Sequence, residues 1–145
     1  MTPPATAVMT AESRLFEAAL GKQPSELDLV KITEHGLPTR SIDVLREEGL
    51  TFSEVHSVVL PARTLKHRQH KQQPLSLEES DRALRVAKIL TVADRVFDNH
   101  DKALRWLRRA NPRLDGRTPL ELLKSEVGGD LVYQMLIQID EGMFV

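Results

Sequence analysis

Between positions 63 and 71 the chain reads Arg63-Thr64-Leu65-Lys66-His67-Arg68-Gln69-His70-Lys71. Arg63, Lys66, His67 and His70 recur at i, i+3, i+4 and i+7, the spacing of one continuous helix face. Thr64, Arg68 and Lys71 make an adjacent face, and Leu65 is the apolar residue left to anchor the helix inward. A short basic helix of this kind can enter the DNA major groove, one face toward base edges and the next toward phosphates. The same pattern also suits a solvated surface helix, and spacing alone leaves both readings open. His67 and His70 stand at metal-ligand spacing, but no carboxylate in the segment completes a set, so no metal site is read here.

No other constellation has the pattern of a catalytic centre. Cysteine is absent, which removes thiolate chemistry, disulfides and cysteine-ligated metals. His35, His56 and His100 are isolated in sequence, and Glu47-Glu48 and Glu78-Glu79 fall at helix ends, where capping and solvation account for them. Nucleophile-elbow, phosphate-loop and dinucleotide glycine patterns are all missing. Gly128-Gly129-Asp130 reads as a helix stop followed by an N-cap aspartate. The chain is therefore read as a non-enzyme that uses no cofactor. Its C-terminal half is better fitted to holding a protein, with the single tryptophan and tyrosine, Trp106 and Tyr133, and the closing run Gly142-Met143-Phe144-Val145. Trp106 with Ala103, Leu107 and Ala110, and Tyr133 with Leu136 and Ile137, also fit a core at helical spacing.

These residues need elements to carry them. The 145 residues, 41% hydrophobic and 28% charged, suit one soluble domain or two small ones. Net charge is −1, yet residues 61–77 hold four basic and no acidic side chains, between an acidic segment and a nearly neutral one. No run approaches the length of a membrane span and no leader is evident, so a cytoplasmic protein is expected. Helix punctuation is dense. Thr51…Glu54, Ser76…Glu79 and Thr118…Glu121 fit the capping box, and Gly36, Gly49 and Gly116 fall where helices should stop. Strand alternation is absent, which predicts an all-α protein with helices near 11–20, 25–35, 38–48, 52–59, 62–71, 77–98, 100–110, 119–125 and 130–141. Residues 1–24 read as a flexible arm, 25–74 as a helix-turn-helix and 75–145 as a second small helical domain. Along 77–98, Ala83, Val86, Ile89, Leu90, Ala93, Val96 and Phe97 fill about 140° of arc. Leu84 and Val92 lie outside it, marking either a homodimer seam or a central helix wrapped by its own domain.

Several segments together resemble the Xre/MbcA/ParS family of bacterial type II antitoxins. They are Gly36-Leu37-Pro38, Arg63-Thr64-Leu65-Lys66-His67-Arg68, Leu75-Ser76-Leu77-Glu78-Glu79-Ser80-Asp81-Arg82, Ala103-Leu104-Arg105-Trp106-Leu107, Asn111-Pro112, Gly116-Arg117-Thr118-Pro119-Leu120-Glu121-Leu122-Leu123 and Ile139-Asp140-Glu141-Gly142. The likeness covers roughly residues 30–145. It implies an Xre-like helix-turn-helix that represses the module's own operon, and a C-terminal domain that binds a RES-domain toxin acting on NAD. On that reading Arg63, Thr64, Lys66, His67, Arg68, His70 and Lys71 contact operator DNA. Tyr133, Gly142, Met143, Phe144 and Val145 meet the toxin, the tail entering its NAD cleft. Phe144 could instead fold back onto its own domain near Trp106; in water it would forgo roughly 1.5–3 kcal/mol of burial. The alternative function is a stand-alone transcription regulator whose C-terminal half only dimerises.

Overall fold

A computed structural model describes residues 9–142, among which every regular element is a helix. The helices are α1 (Ala11–Leu20), α2 (Glu26–His35), α3 (Ser41–Glu47), α4 (Phe52–Val58), α5 (Ala62–His70), α6 (Leu77–Phe97), α7 (His100–Arg108), α8 (Pro119–Leu122) and α9 (Glu126–Asp140), with a 3-10 turn at Pro112–Leu114. Among the described residues no helix is long and apolar enough to cross a membrane. Local hydrogen bonding sets most starts. The hydroxyls of Thr51 and Ser76 accept from the amides of Glu54 and Glu79, whose carboxylates return to the cap amides at 2.8 Å. At α8 the expected box is half formed: Thr118 accepts from the Glu121 amide, while the Glu121 carboxylate turns to Arg117. A further box, Ser25 with Asp28, opens α2.

The core gathers around α6, which packs against α1, α2, α3, α7 and α9. Ala83, Val86, Ile89, Leu90 and Ala93 are buried, with Val96 and Phe97 at the edge of the same cluster. Val92, one half of the expected dimer seam, is only 7% exposed, and Leu84 packs half-buried onto that cluster. Val92 is thus covered by the chain's own helices, while Leu84 keeps part of its surface open.

Two further expectations change. The segment read as a flexible arm contains α1, docked through buried Ala11 and Leu15, capped by Thr10 and pinned where the Glu12 amide donates to Thr91 Oγ1 at 3.1 Å. Residues 1–8 lie outside the described part. Gly128 and Gly129 do not stop a helix either; they sit in the first turns of α9, which starts from the Ser125 cap. A Cβ on Gly128 would overlap the Leu122 carbonyl, and one on Gly129 would stand 2.6 Å from Arg85 Cδ. The glycines serve close packing, so the helix begins four residues earlier than residue 130.

Across the boundary expected at 74/75, hydrophobic contact is continuous from Leu15 to Leu136. Leu75 donates its amide to the Leu37 carbonyl at 2.8 Å, and the Leu37 amide donates to Ser80 Oγ, also at 2.8 Å. Gly36 makes this junction possible: its φ is +84° and a Cβ there would overlap the Leu75 carbonyl oxygen. Gly36→Ala is therefore expected to cost at least about 2 kcal/mol. Chemical denaturation of the two proteins checks it, and equal midpoints would remove the close approach as a constraint.

Candidate functional site

Helices α4 and α5 meet at Val59-Leu60-Pro61, where Val59 and Leu60 are buried and the Val59 carbonyl accepts from Arg82 Nε of α6 at 2.8 Å. The turn is therefore fixed to the core. From it α5 projects with Leu65 turned inward, 9% exposed, as its sequence position requires. Arg63, Lys66, His67, His70 and Lys71 are all exposed, Thr64 is half-buried, and none of the five exposed residues enters an ion pair among the described residues. Pro61 gives the helix no side-chain cap, which leaves its first amides open to an outside acceptor.

Arg68 departs from the expected phosphate face. Its guanidinium forks onto Glu79 of α6, Nε to Oε1 at 3.2 Å and Nη2 to Oε2 at 3.3 Å. Glu79 is 6% exposed. Burial opposes its charge, but Arg68 and the Ser76 amide outweigh that and hold the carboxyl below its ordinary range. Arg68 orients α5 on the core. The remaining cations face solvent.

A second set of polar contacts joins the helix-turn-helix to the C-terminal half. Arg108 of α7 donates to both oxygens of Glu54, at 2.7 and 2.8 Å, and to the Gly49 carbonyl at 2.6 Å. Glu54 thus closes its own capping box and also receives α7. His100, isolated in sequence, and Glu48, expected at a solvated helix end, are both internal bridges. His100 places Nδ1 2.8 Å from Asp94 Oδ1 and Nε2 2.6 Å from the Glu48 carbonyl oxygen. Arg14 of α1 meets Glu48 Oε1 at 2.6 Å. Glu48, Asp94 and His100 are close enough to share a cation. With both ring nitrogens and the Glu48 carboxylate already engaged, the group is a closed hydrogen-bond network. The missing signal was distance: Glu48 and His100 lie 52 positions apart.

The C-terminal half presents its own surface. Tyr133 is exposed, with the Lys88 ammonium 5.2 Å from its ring centre, while Leu136 is buried as expected. Val127, 80% exposed, and Leu131 of α9 form an apolar i, i+4 pair that sequence reading did not single out. Gly142 is exposed with φ +79°. Met143, Phe144 and Val145 lie outside the described residues.

Against known families, residues 28–88 match the antitoxin Xre-like helix-turn-helix domain, and residues 92–142 match the antitoxin Xre/MbcA/ParS C-terminal toxin-binding domain. Among curated proteins, Antitoxin Xre of Pseudomonas putida (strain KT2440) is 40% identical over 114 residues, 79% of this chain and 64% of the relative. The Prs ADP-ribosylating antitoxin of Sphingobium sp. (strain YBL2) is 34% identical over 94 residues, 59% of each chain. The chain thus spans somewhat less than two thirds of the length of these relatives.

The His100 bridge carries a pH signature. Both of its partners only accept, so the ring satisfies them only as imidazolium. Burial disfavours that charge, but Asp94 and the Glu48 carbonyl prevail and raise the pKa above the ordinary histidine value. A raised folded-state pKa gives stabilisation that is complete below the unfolded value, about 6.5, and is lost as pH rises through the folded value. The melting temperature advantage over His100→Gln should be largest near about pH 6 and shrink toward about pH 9. A constant difference across that range would rule out the imidazolium bridge.

Proposed function

The chain belongs to the Xre/MbcA/ParS antitoxin family, and from that premise we propose that it neutralises a NAD-consuming RES-domain toxin by direct binding and represses its own operon through α4 and α5. The carrying observation is the exposed, unpaired basic face of α5 on a helix that Leu65 and Arg68 hold rigidly. Arg63, Lys66, His67 and His70 face the bases, with Thr64, Lys71 and the open amides after Pro61 toward phosphates. Arg63→Ala and Lys66→Ala should each weaken operator binding by about 1–3 kcal/mol if they touch bases, or mainly flatten the salt dependence if they touch phosphates. Arg68→Ala should instead lower folding stability. Mobility shift at two salt concentrations, with melting curves, separates these outcomes. Wild-type affinity in both surface variants would displace the recognition helix.

Operators are commonly read by two-fold dimers. Half-buried Leu84 on α6, or the exposed Leu27 and Val30 of α2, would supply apolar surface for a second copy. For the toxin, the family description of residues 92–142 and the exposed Val127, Leu131 and Tyr133 support binding by the C-terminal half. The Sphingobium relative's name, with its reference to ADP-ribosylation, supports a partner that handles ADP-ribose. No chemistry of the antitoxin's own is required.

The tail from Gly142 through Val145 completes this reading by occupying the toxin's NAD cleft. Co-expression with a RES-domain protein encoded beside this chain should give a co-purifying complex. Deleting residues 142–145 should abolish growth protection while leaving operator binding and helical content unchanged. Full protection by the truncated protein would move inhibition to the body of the domain, and the absence of any complex would favour a stand-alone regulator.

A further inference from the structure

Helix α7 carries a second basic stripe that the DNA reading does not use. Lys102, Arg105, Trp106 and Arg109 stand at i, i+3, i+4 and i+7 from Lys102, one face of the helix and its C-cap. With Phe97 they line an open cavity of about 310 Å³. Trp106, the single tryptophan of the chain, is half-buried and tilts against Phe97 with ring centres 5.8 Å apart. Lys102, Arg105 and Arg109 are exposed. Several other cations hold the fold: Arg14, Arg68, Arg85, Arg108 and Arg117 each meet a carboxylate. Among the described residues Lys102, Arg105 and Arg109 do not, and all three gather around one aromatic side chain.

Placement separates this stripe from the operator face. Glu79 fixes α5 near the start of α6, whereas Phe97 closes α6 at its other end, about 27 Å away at ~1.5 Å per residue. Residue chemistry then favours protein over nucleic acid. A half-buried tryptophan sharing its cavity with two arginines is a composition enriched at protein interface centres. Unpaired exposed cations around it attract carboxylates over distance and speed encounter. The stripe also lies inside the segment that matches a toxin-binding domain.

We propose that the α7 stripe is a docking face for the toxin, on which an acidic, carboxylate-bearing patch of the partner seats over Trp106 between Lys102, Arg105 and Arg109. This rests on the toxin-binding reading above. It assigns α7 the approach and orientation of the partner, apart from whatever occupies the NAD cleft.

The test uses the full chain with the co-purifying RES-domain toxin. A triple variant, Lys102→Gln with Arg105→Gln and Arg109→Gln, removes three exposed charges and leaves Trp106 on Phe97, so helical content should hold. Association with the toxin should slow at least about tenfold at low salt, and its salt dependence should flatten. Fluorotryptophan at position 106 of the antitoxin should show its single fluorine resonance shift on complex formation in the parent. Unchanged association and salt dependence in the triple variant would overturn the proposal while leaving toxin binding intact. Loss of operator affinity at unchanged toxin binding would also overturn it, giving the stripe to nucleic acid. If the parent forms no complex at all, the toxin-binding reading fails, and the docking face falls with it. Arg105→Glu serves as a second variant, and reversing the charge should slow association further than the single Arg105→Gln change.

Discussion

Helix α6 places alanine at 83, 87 and 93, each fully buried, so that neighbouring helices approach its axis closely on several sides. That close approach is the condition for everything else, because the polar side chains spaced along α6 then reach the functional elements directly. Glu79 near its start receives Arg68 and sets α5. Arg82 holds the α4–α5 turn through the Val59 carbonyl. Arg85 reaches the Leu123 carbonyl at 2.9 Å and also pairs with Asp81, and its stem packs over Gly129 at the start of α9. Asp94 near its end orients His100. One helix thus registers the helix-turn-helix and the C-terminal half against a common core.

The cross-braces matter for the same reason. Arg108 with Glu54, and His100 with the Glu48 carbonyl, join α7 to the helix-turn-helix from outside the apolar cluster. Burial opposes the charge on Glu54, but hydrogen bonds from Arg108 and Thr51 keep its carboxyl below the ordinary range. An isolated charge in such a place would be expensive, whereas a paired and hydrogen-bonded one is tolerated. Two helices that would each be marginal alone become parts of one cooperative unit. A partner that displaced α7 would act on the seat of α4 as well.

Cations in this chain fall into two populations that composition cannot separate. Arg68 and Arg108 face carboxylates and hold the fold. Lys66, Arg63 and Lys71 on α5, and Lys102, Arg105 and Arg109 on α7, face solvent at opposite ends of α6. The net charge of −1 conceals both surfaces, since acidic side chains elsewhere in the chain offset them. Local exposure, rather than total charge, decides what each surface can meet.

Helix positions were legible in the sequence because their causes are local. A hydroxyl three residues before a carboxylate, or a leucine four residues from another, acts within one turn, and the starts at Thr51 and Ser76 follow from such neighbours. The all-α class, the inward Leu65, the buried face of α6 and the family resemblance carried by its motifs were readable for that reason. Tertiary structure alone decided the rest. Arg68 and Lys66 are alike in sequence, and only Glu79, eleven positions beyond Arg68, turns one inward. Gly128 and Gly129 read as a stop until Leu122 and Arg85 press against them. The first helix reads as an arm until Thr91 and Glu48 receive it, and His100 reads as solitary until Asp94 and the end of α3 enclose it. In each case the deciding contact lies beyond one helical turn, where periodicity and capping carry no information and only packing brings the partners together.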